Sequence, residues 1–181
     1  MPASRPLAWY LLSLRAVGDH DGLRRAAARH GGGLVALSPW RLQPRDDEAA
    51  RQALGRALRA PAVVFTSPAA VRAAAALQAL APRPGQSWLA VGAGTAAALR
   101  RAGVAGVEAP ARMDSEGLLA LPALAAAPRA GLVTAPGGRG LVASTLAARG
   151  TPVDRADVYE RVPSPPPPAA VVRLLALQAP A

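Results

Sequence analysis

The chain has 181 residues, enough for one domain with a real core or for one domain and part of another, and its 51% hydrophobic fraction is mostly Ala, Leu and Val. It has no cysteine, which excludes disulfides and cysteine-based metal sites, and no apolar run approaches the ~20 residues of a membrane span. The formal charge of +10 rests on arginine alone in a sequence without Lys, Ile or Asn, the mark of GC-rich coding, so it does not by itself identify a nucleic-acid binder.

Short apolar runs alternate with Ala/Leu/Arg segments of helical period, which predicts an α/β protein with a parallel sheet. Leu7 to Leu14 reads as a strand, and Arg15 ends it too early for a signal peptide. Gly18 to Arg29 reads as a helix, with Asp19 or Asp21 at its start and Gly31, Gly32 and Gly33 as its stop. Leu34 to Leu37 is a second strand, followed by an extended segment from Ser38 to Pro44. Asp46 to Ala60 is a helix with acids in its first turn and Arg56 and Arg59 in its last, as the helix dipole favours.

Four strand-to-helix units follow. Ala62 to Phe65 leads into Thr66-Ser67-Pro68, where a hydroxyl can cap and Pro68 can occupy the first turn. Trp88 to Val91 leads into Gly92-Ala93-Gly94-Thr95 and a helix through Arg101. Val104 to Val107 is a shorter strand, with a loop and a helix beginning at Asp114-Ser115-Glu116-Gly117. Leu132 to Thr134 leads into Ala135-Pro136-Gly137-Gly138-Arg139-Gly140 and a helix ending near Gly150. Val153 to Val162 is extended, Pro163 to Pro168 is a polyproline break, and Ala169 to Gln178 is a short helix. The last helix has no following strand, so elements are expected to be missing beyond it.

The junctions place small or hydroxyl residues at helix N-termini, whose unpaired amides suit a ligand with several negative groups, although caps alone need the same residues. Gly92-Ala93-Gly94-Thr95-Ala96-Ala97 also fits the G-x-G-x-x-A dinucleotide pattern, but mid-chain, with Asp114 at a helix start rather than at a strand end. Gly137-Gly138-Arg139-Gly140 lacks the Gly-Lys-Ser/Thr of a P-loop. The histidines, His20 and His30, stand at the two ends of one predicted helix, so no metal is expected. No serine or cysteine nucleophile has a base beside it. Acid–base chemistry falls to helix-start carboxylates, Tyr10 and Tyr159, and an enzyme here would work mainly by holding its substrate in a reactive shape.

Taken in order, six segments resemble the uroporphyrinogen-III synthase family. They are Ser13-Leu14-Arg15, Phe65-Thr66-Ser67-Pro68-Ala69-Ala70-Val71, Val91 to Leu99 with Gly103, Ser115-Glu116-Gly117-Leu118-Leu119, Gly137-Gly138-Arg139 with Leu146 and Gly150, and Val158-Tyr159-Glu160-Arg161. The resemblance covers Leu12 to Val162. It implies a flavodoxin-like parallel α/β domain inserted into a second α/β domain, which is incomplete here, with two extended linkers between them. Residues 1–38 would begin the first domain and 39–44 would be a linker. The complete inserted domain would take 45–156, the return linker 157–163, and the Pro-rich start of the remainder 164–181.

The family's reaction closes hydroxymethylbilane, a linear tetrapyrrole with eight carboxylates, and inverts its ring D, with no cofactor and no metal. By that resemblance Arg15, Thr66, Ser67, Gly94, Thr95, Ser115, Gly138 and Arg139 would contact substrate carboxylates. Tyr159 would assist departure of the hydroxyl. The implied setting is the cytoplasm, without nucleic acid or membrane, the full-length form being a monomer and this shorter chain prone to self-association and of doubtful activity. The competing readings are a non-catalytic polyanion-binding module and a dinucleotide-binding domain built on Gly92-Ala93-Gly94.

Overall fold

The computed structural model describes residues 7–137 and 140–178, and among them no helix is long and apolar enough to cross a membrane. The chain divides into two compact units, one made of residues up to Leu42 and from Arg161 onward, the other of Gln43–Glu160.

The first unit begins with β1 (Tyr10–Ser13), shorter than the apolar run around it, then α1 (Asp21–Arg29) and β2 (Gly33–Ala36), and the two strands pair in parallel. Of the two predicted acids Asp21 stands in the first turn of α1, while the N-cap position itself is taken by His20, which makes no capping bond. The glycine run does end the helix, through Gly31 at φ 71°. Its other two members have a second reason to be glycine, since a Cβ on Gly32 would overlap the Trp9 ring and one on Gly33 the Tyr10 ring. After β2 the chain extends as β3 (Trp40–Pro44).

The second unit carries α2 (Glu48–Ala57), β4 (Ala62–Phe65), α3 (Pro68–Leu77), β5 (Ser87–Ala90), α4 (Ala93–Arg101), α5 (Ser115–Leu119), α6 (Pro122–Ala125), β6 (Ala130–Thr134), α7 (Leu141–Ala148) and β7 (Val153–Asp157). Its sheet has the order β5-β4-β6-β7 with every neighbouring pair parallel. The fold is therefore α/β with a parallel sheet. β4 is buried along its whole length, as a central strand covered on both faces must be, which is why its sequence is a continuous apolar run rather than an alternation. Ala62 and Val64 join Leu89, Leu118, Leu124, Leu132 and Leu146 in one core cluster. Phe65 on the alternate position stacks on Trp88, ring centroids 5.5 Å apart.

One expectation fails here. Val104 to Val107 forms no strand, because Gly103 and Gly106 take positive φ and leave only an isolated parallel bridge between Glu108 and Leu89. The helix after β6 begins at Leu141, following Gly140 as the sequence predicts, and the short α6, started by Pro122, has no counterpart in the sequence reading.

The predicted extended run from Val153 is two strands broken at Val158. The Val158 N–H donates to the Thr134 carbonyl, and its own carbonyl accepts from Arg45. Beyond it β8 (Tyr159–Pro163) pairs with β3, and the bonds Arg45 to Val158 and Ser164 to Pro39 at the two ends give an antiparallel ribbon. No regular element occupies residues 164–167, and α8 (Pro168–Gln178) opens with a proline in its first turn and contacts β2.

Candidate active site

All strands of the larger sheet run the same way, so the turns after β4, β5 and β6 emerge at one end of it. Three of the helix starts at that end, those of α3, α4 and α5, are neighbours. A Cβ on Gly94 would lie 3.8 Å from Pro68, which sets the start of α4 beside that of α3. Met113, just ahead of α5, packs on Gly92 and receives the Ala93 N–H at its sulfur, 3.5 Å away.

An account of the amides at these starts shows what is left for a ligand. In α3 the Ser67 hydroxyl caps the Ala70 N–H at 3.0 Å, the Ser67 carbonyl takes Val71, and Pro68 has no N–H, which leaves Ala69. In α4 the cap is Gly92 rather than Thr95. Its carbonyl takes the N–H groups of Thr95 and Ala96, and Gly94 is left. In α5 the Asp114 side chain takes Gly117 at 2.8 Å and its carbonyl takes Leu118, so Ser115 and Glu116 keep theirs. Ala69, Gly94, Ser115 and Glu116 thus offer backbone donors with no partner among the described residues. Such a row suits carboxylates.

Hydroxyl groups lie next to this row. The Ser67 Oγ and Tyr159 Oη atoms are 3.1 Å apart, joining the cap of α3 to the first residue of β8 across 92 positions of sequence. Tyr159 is only 5% exposed, so its ring is held by packing and its hydroxyl by Ser67. Thr66 donates to Thr134 Oγ1 at 2.9 Å. Thr134 has no special place in the sequence pattern. It joins the group only because β6 lies beside β4.

Thr95 is 3% exposed, its side chain turned into the core. Arg15 lies in the first unit, between β1 and α1, its guanidinium 3.2 Å from Asp19 and its side chain half exposed. Gly138 and Arg139 lie outside the described residues. Asp114, whose distance from the Gly92-Ala93-Gly94 turn suggested a ribose contact, is spent on capping α5 and pairing with Arg112. The Gly117 N–H, and after it Arg112, hold its carboxyl below the ordinary 3.8. A surface hollow of about 460 Å³ among Ala143, Gly150, Pro152 and Arg155 opens at the start of β7 and includes none of these residues. No three His, Asp or Glu side chains gather as metal ligands among the described residues.

Comparison with known proteins agrees with this architecture. Two solved structures of uroporphyrinogen III synthase from the extremely thermophilic bacterium Thermus thermophilus resemble it. A triple mutant has a TM-score of 0.62 at 20% identity over 92% of this chain and 66% of that one. The wild type has a TM-score of 0.54 at 20% identity, over 93% and 66%. The chain thus spans slightly less than two thirds of the length of those proteins, and at this identity the likeness is one of fold. No curated protein matches the chain. Residues 21–179 match the family model described as uroporphyrinogen-III synthase HemD, so most of the sequence is covered and the chain belongs to the uroporphyrinogen-III synthase family.

Proposed function

We propose that the chain acts on hydroxymethylbilane, closing it with inversion of ring D to uroporphyrinogen III. The reaction removes one molecule of water: the hydroxymethyl C–O bond breaks, the leaving oxygen takes a proton, and the adjoining pyrrole N–H gives one up, which leaves an azafulvene. The substituted carbon of ring D attacks it to give a spiro intermediate, which fragments and recloses with that ring turned round. Uncatalysed closure lacks the inversion, so the protein's task is to hold conformation and to help the hydroxyl leave.

The observation that carries this reading is the contact between Ser67 and Tyr159 beside a row of free helix-start amides. Ser67 Oγ already accepts an N–H, so its own proton is available to the phenol oxygen. The phenol O–H is then free to donate to the departing hydroxyl. On this reading Ser67 orients Tyr159, and the carboxylates are held by the amides of Ala69, Gly94, Ser115 and Glu116, by Thr66, and by Arg15, with Gly138 and Arg139 completing the set. Thr95 itself has no free donor, its N–H being taken by the Gly92 carbonyl and its side chain buried, so the contact at α4 falls to Gly94.

In the arrangement proposed, residues 45–156 form a flavodoxin-like domain inserted into the first, the segments 39–44 and 157–163 being the linkers, and the protein works in the cytoplasm. A coupled assay with freshly made hydroxymethylbilane, scored for the ratio of inverted to uninverted isomer, tests it. The inverted isomer should exceed the uncatalysed share, and Tyr159→Phe should lower its rate roughly 10²-fold, the lower end for loss of an acid catalyst. An isomer ratio equal to that without protein would refute the activity. An unaltered rate in Tyr159→Phe would remove the role of the phenol.

A further inference from the structure

The first unit contains a buried polar relay that the sequence does not announce. His20, at 6% exposure, lies between two serines each 3% exposed, with Nδ1 3.0 Å from Ser13 Oγ and Nε2 2.6 Å from Ser38 Oγ. Ser13 ends β1, His20 precedes α1, and Ser38 follows β2, so one imidazole ties together the three element ends of this unit. Ser38 is the one non-glycine residue at positive φ among those described, 43°, a conformation that side chains disfavour and that here aims its hydroxyl at the ring. His20 leaves α1 uncapped while both its nitrogens are engaged elsewhere. A residue chosen for the helix alone would be Ser, Asp or Asn.

The relay ends on the turn that carries Arg15. Ser13 Oγ also lies 3.5 Å from the Arg15 backbone N–H. The same turn is fastened on its other side by Trp40, whose Nε1 donates to the Leu14 carbonyl at 2.6 Å and whose carbonyl takes the Val17 N–H at 3.0 Å. Between these two fastenings Ala16 is buried and the Arg15 guanidinium projects outward to Asp19.

We propose that His20 is a positioning residue for Arg15: its bond to Ser13 fixes the turn from Leu14 to Asp19 and thereby the direction in which Arg15 presents its charge to an anionic ligand, while Ser38 holds the far side of the ring. The part of this claim that concerns the ligand rests on the carboxylate-binding reading of Arg15 given above. The part that concerns the turn does not.

The two nitrogens can be separated chemically. An asparagine amide reaches where Nδ1 stands, and a glutamine amide reaches where Nε2 stands. His20→Asn therefore keeps the bond to Ser13 and loses Ser38, whereas His20→Gln does the reverse. Each loses one buried bond, so both should lower Tm alike. A role in fold stability alone would make the two equivalent in every other respect as well. Positioning predicts a split: amide hydrogen exchange from Arg15 to Asp19 should quicken roughly tenfold in His20→Gln, the effect of one buried hydrogen bond, and little in His20→Asn. Ser13→Ala, a smaller change, should match His20→Gln and serves if the latter fails to fold. Equal exchange in the Asn and Gln variants, or protection of the turn in Ser13→Ala, would overturn the proposal.

The ligand half is tested with uroporphyrin, a stable octacarboxylate. Its Kd should rise roughly tenfold in Arg15→Gln and in His20→Gln and stay near wild type in His20→Asn. If Arg15→Gln binds as wild type does, the reading of Arg15 as a carboxylate contact fails, while the exchange measurement still decides the role of His20.

Discussion

Asp114 shows how much of this site is set by one short side chain. Its carboxylate caps Gly117 and pairs with Arg112, and its pKa lies below 3.8 because the Gly117 N–H, first of all, favours the charged form. A depressed carboxyl stabilises the fold above its unfolded pKa and loses that contribution as pH falls through the folded value. Asparagine caps as well as aspartate does but cannot titrate. Asp114→Asn should therefore keep α5 in place and flatten the decline of Tm with acid between about pH 5 and pH 2, by a small amount because the group is exposed. An acid decline identical to wild type in thermal melts would contradict the assignment. The same residue illustrates what was legible at this scale. Ser67 as a cap and Asp114 at a helix start followed from local pattern. Thr134 and the His20 relay did not, since each acts on residues 68 or 18 positions away that only the folded chain brings near.

At the scale of elements, the position of α2 on the sheet depends on a residue with no side chain. α2 buries Ala50, Leu54 and Ala57 and packs on β6 and β7. At its end the Ala57 carbonyl presses on Gly131 of β6 so closely that a Cβ there would overlap it. Backbone cannot step aside as a flexible side chain can, so Gly131→Ala should cost about 3 kcal/mol, the upper part of the range for overpacking. Urea melts check this, and a loss below about 1 kcal/mol would show that α2 slides freely. Most elements were legible because each combines an apolar run with a cap or breaker at its ends, β4 with Ser67 and Pro68 being the clearest. Val104 to Val107 misled because its apolar residues resemble a strand while Gly106 interrupts the pairing. Nothing in the sequence distinguishes Gly131 from a strand-weakening glycine. Its reason lies in α2, more than seventy positions earlier.

At the scale of the whole chain the two units are unequally covered. Among the described residues every exposed large apolar side chain except Met113 lies in the unit made of residues up to Leu42 and from Arg161. Among the described residues of that unit β1 pairs only with β2. The Trp9 and Ser13 carbonyls face β2, so by strand alternation the backbone groups of Tyr10 and Leu12 face the open edge. Leu12 and Leu14 are 49% and 61% exposed, and α8 turns Val172 and Leu175 outward as well. An unpaired strand edge with apolar side chains favours association. The net charge of +10 opposes it, and salt screens that repulsion without weakening the apolar contact. Self-association should therefore strengthen as ionic strength rises from about 0.02 to 0.3 M, the reverse of what charge-driven binding to a polyanion would do. Leu12→Lys, which adds charge at the open edge, should suppress it. Light scattering at both salt concentrations decides: a monodisperse monomer throughout would show that the exposed apolar residues of this unit do not drive contact between copies.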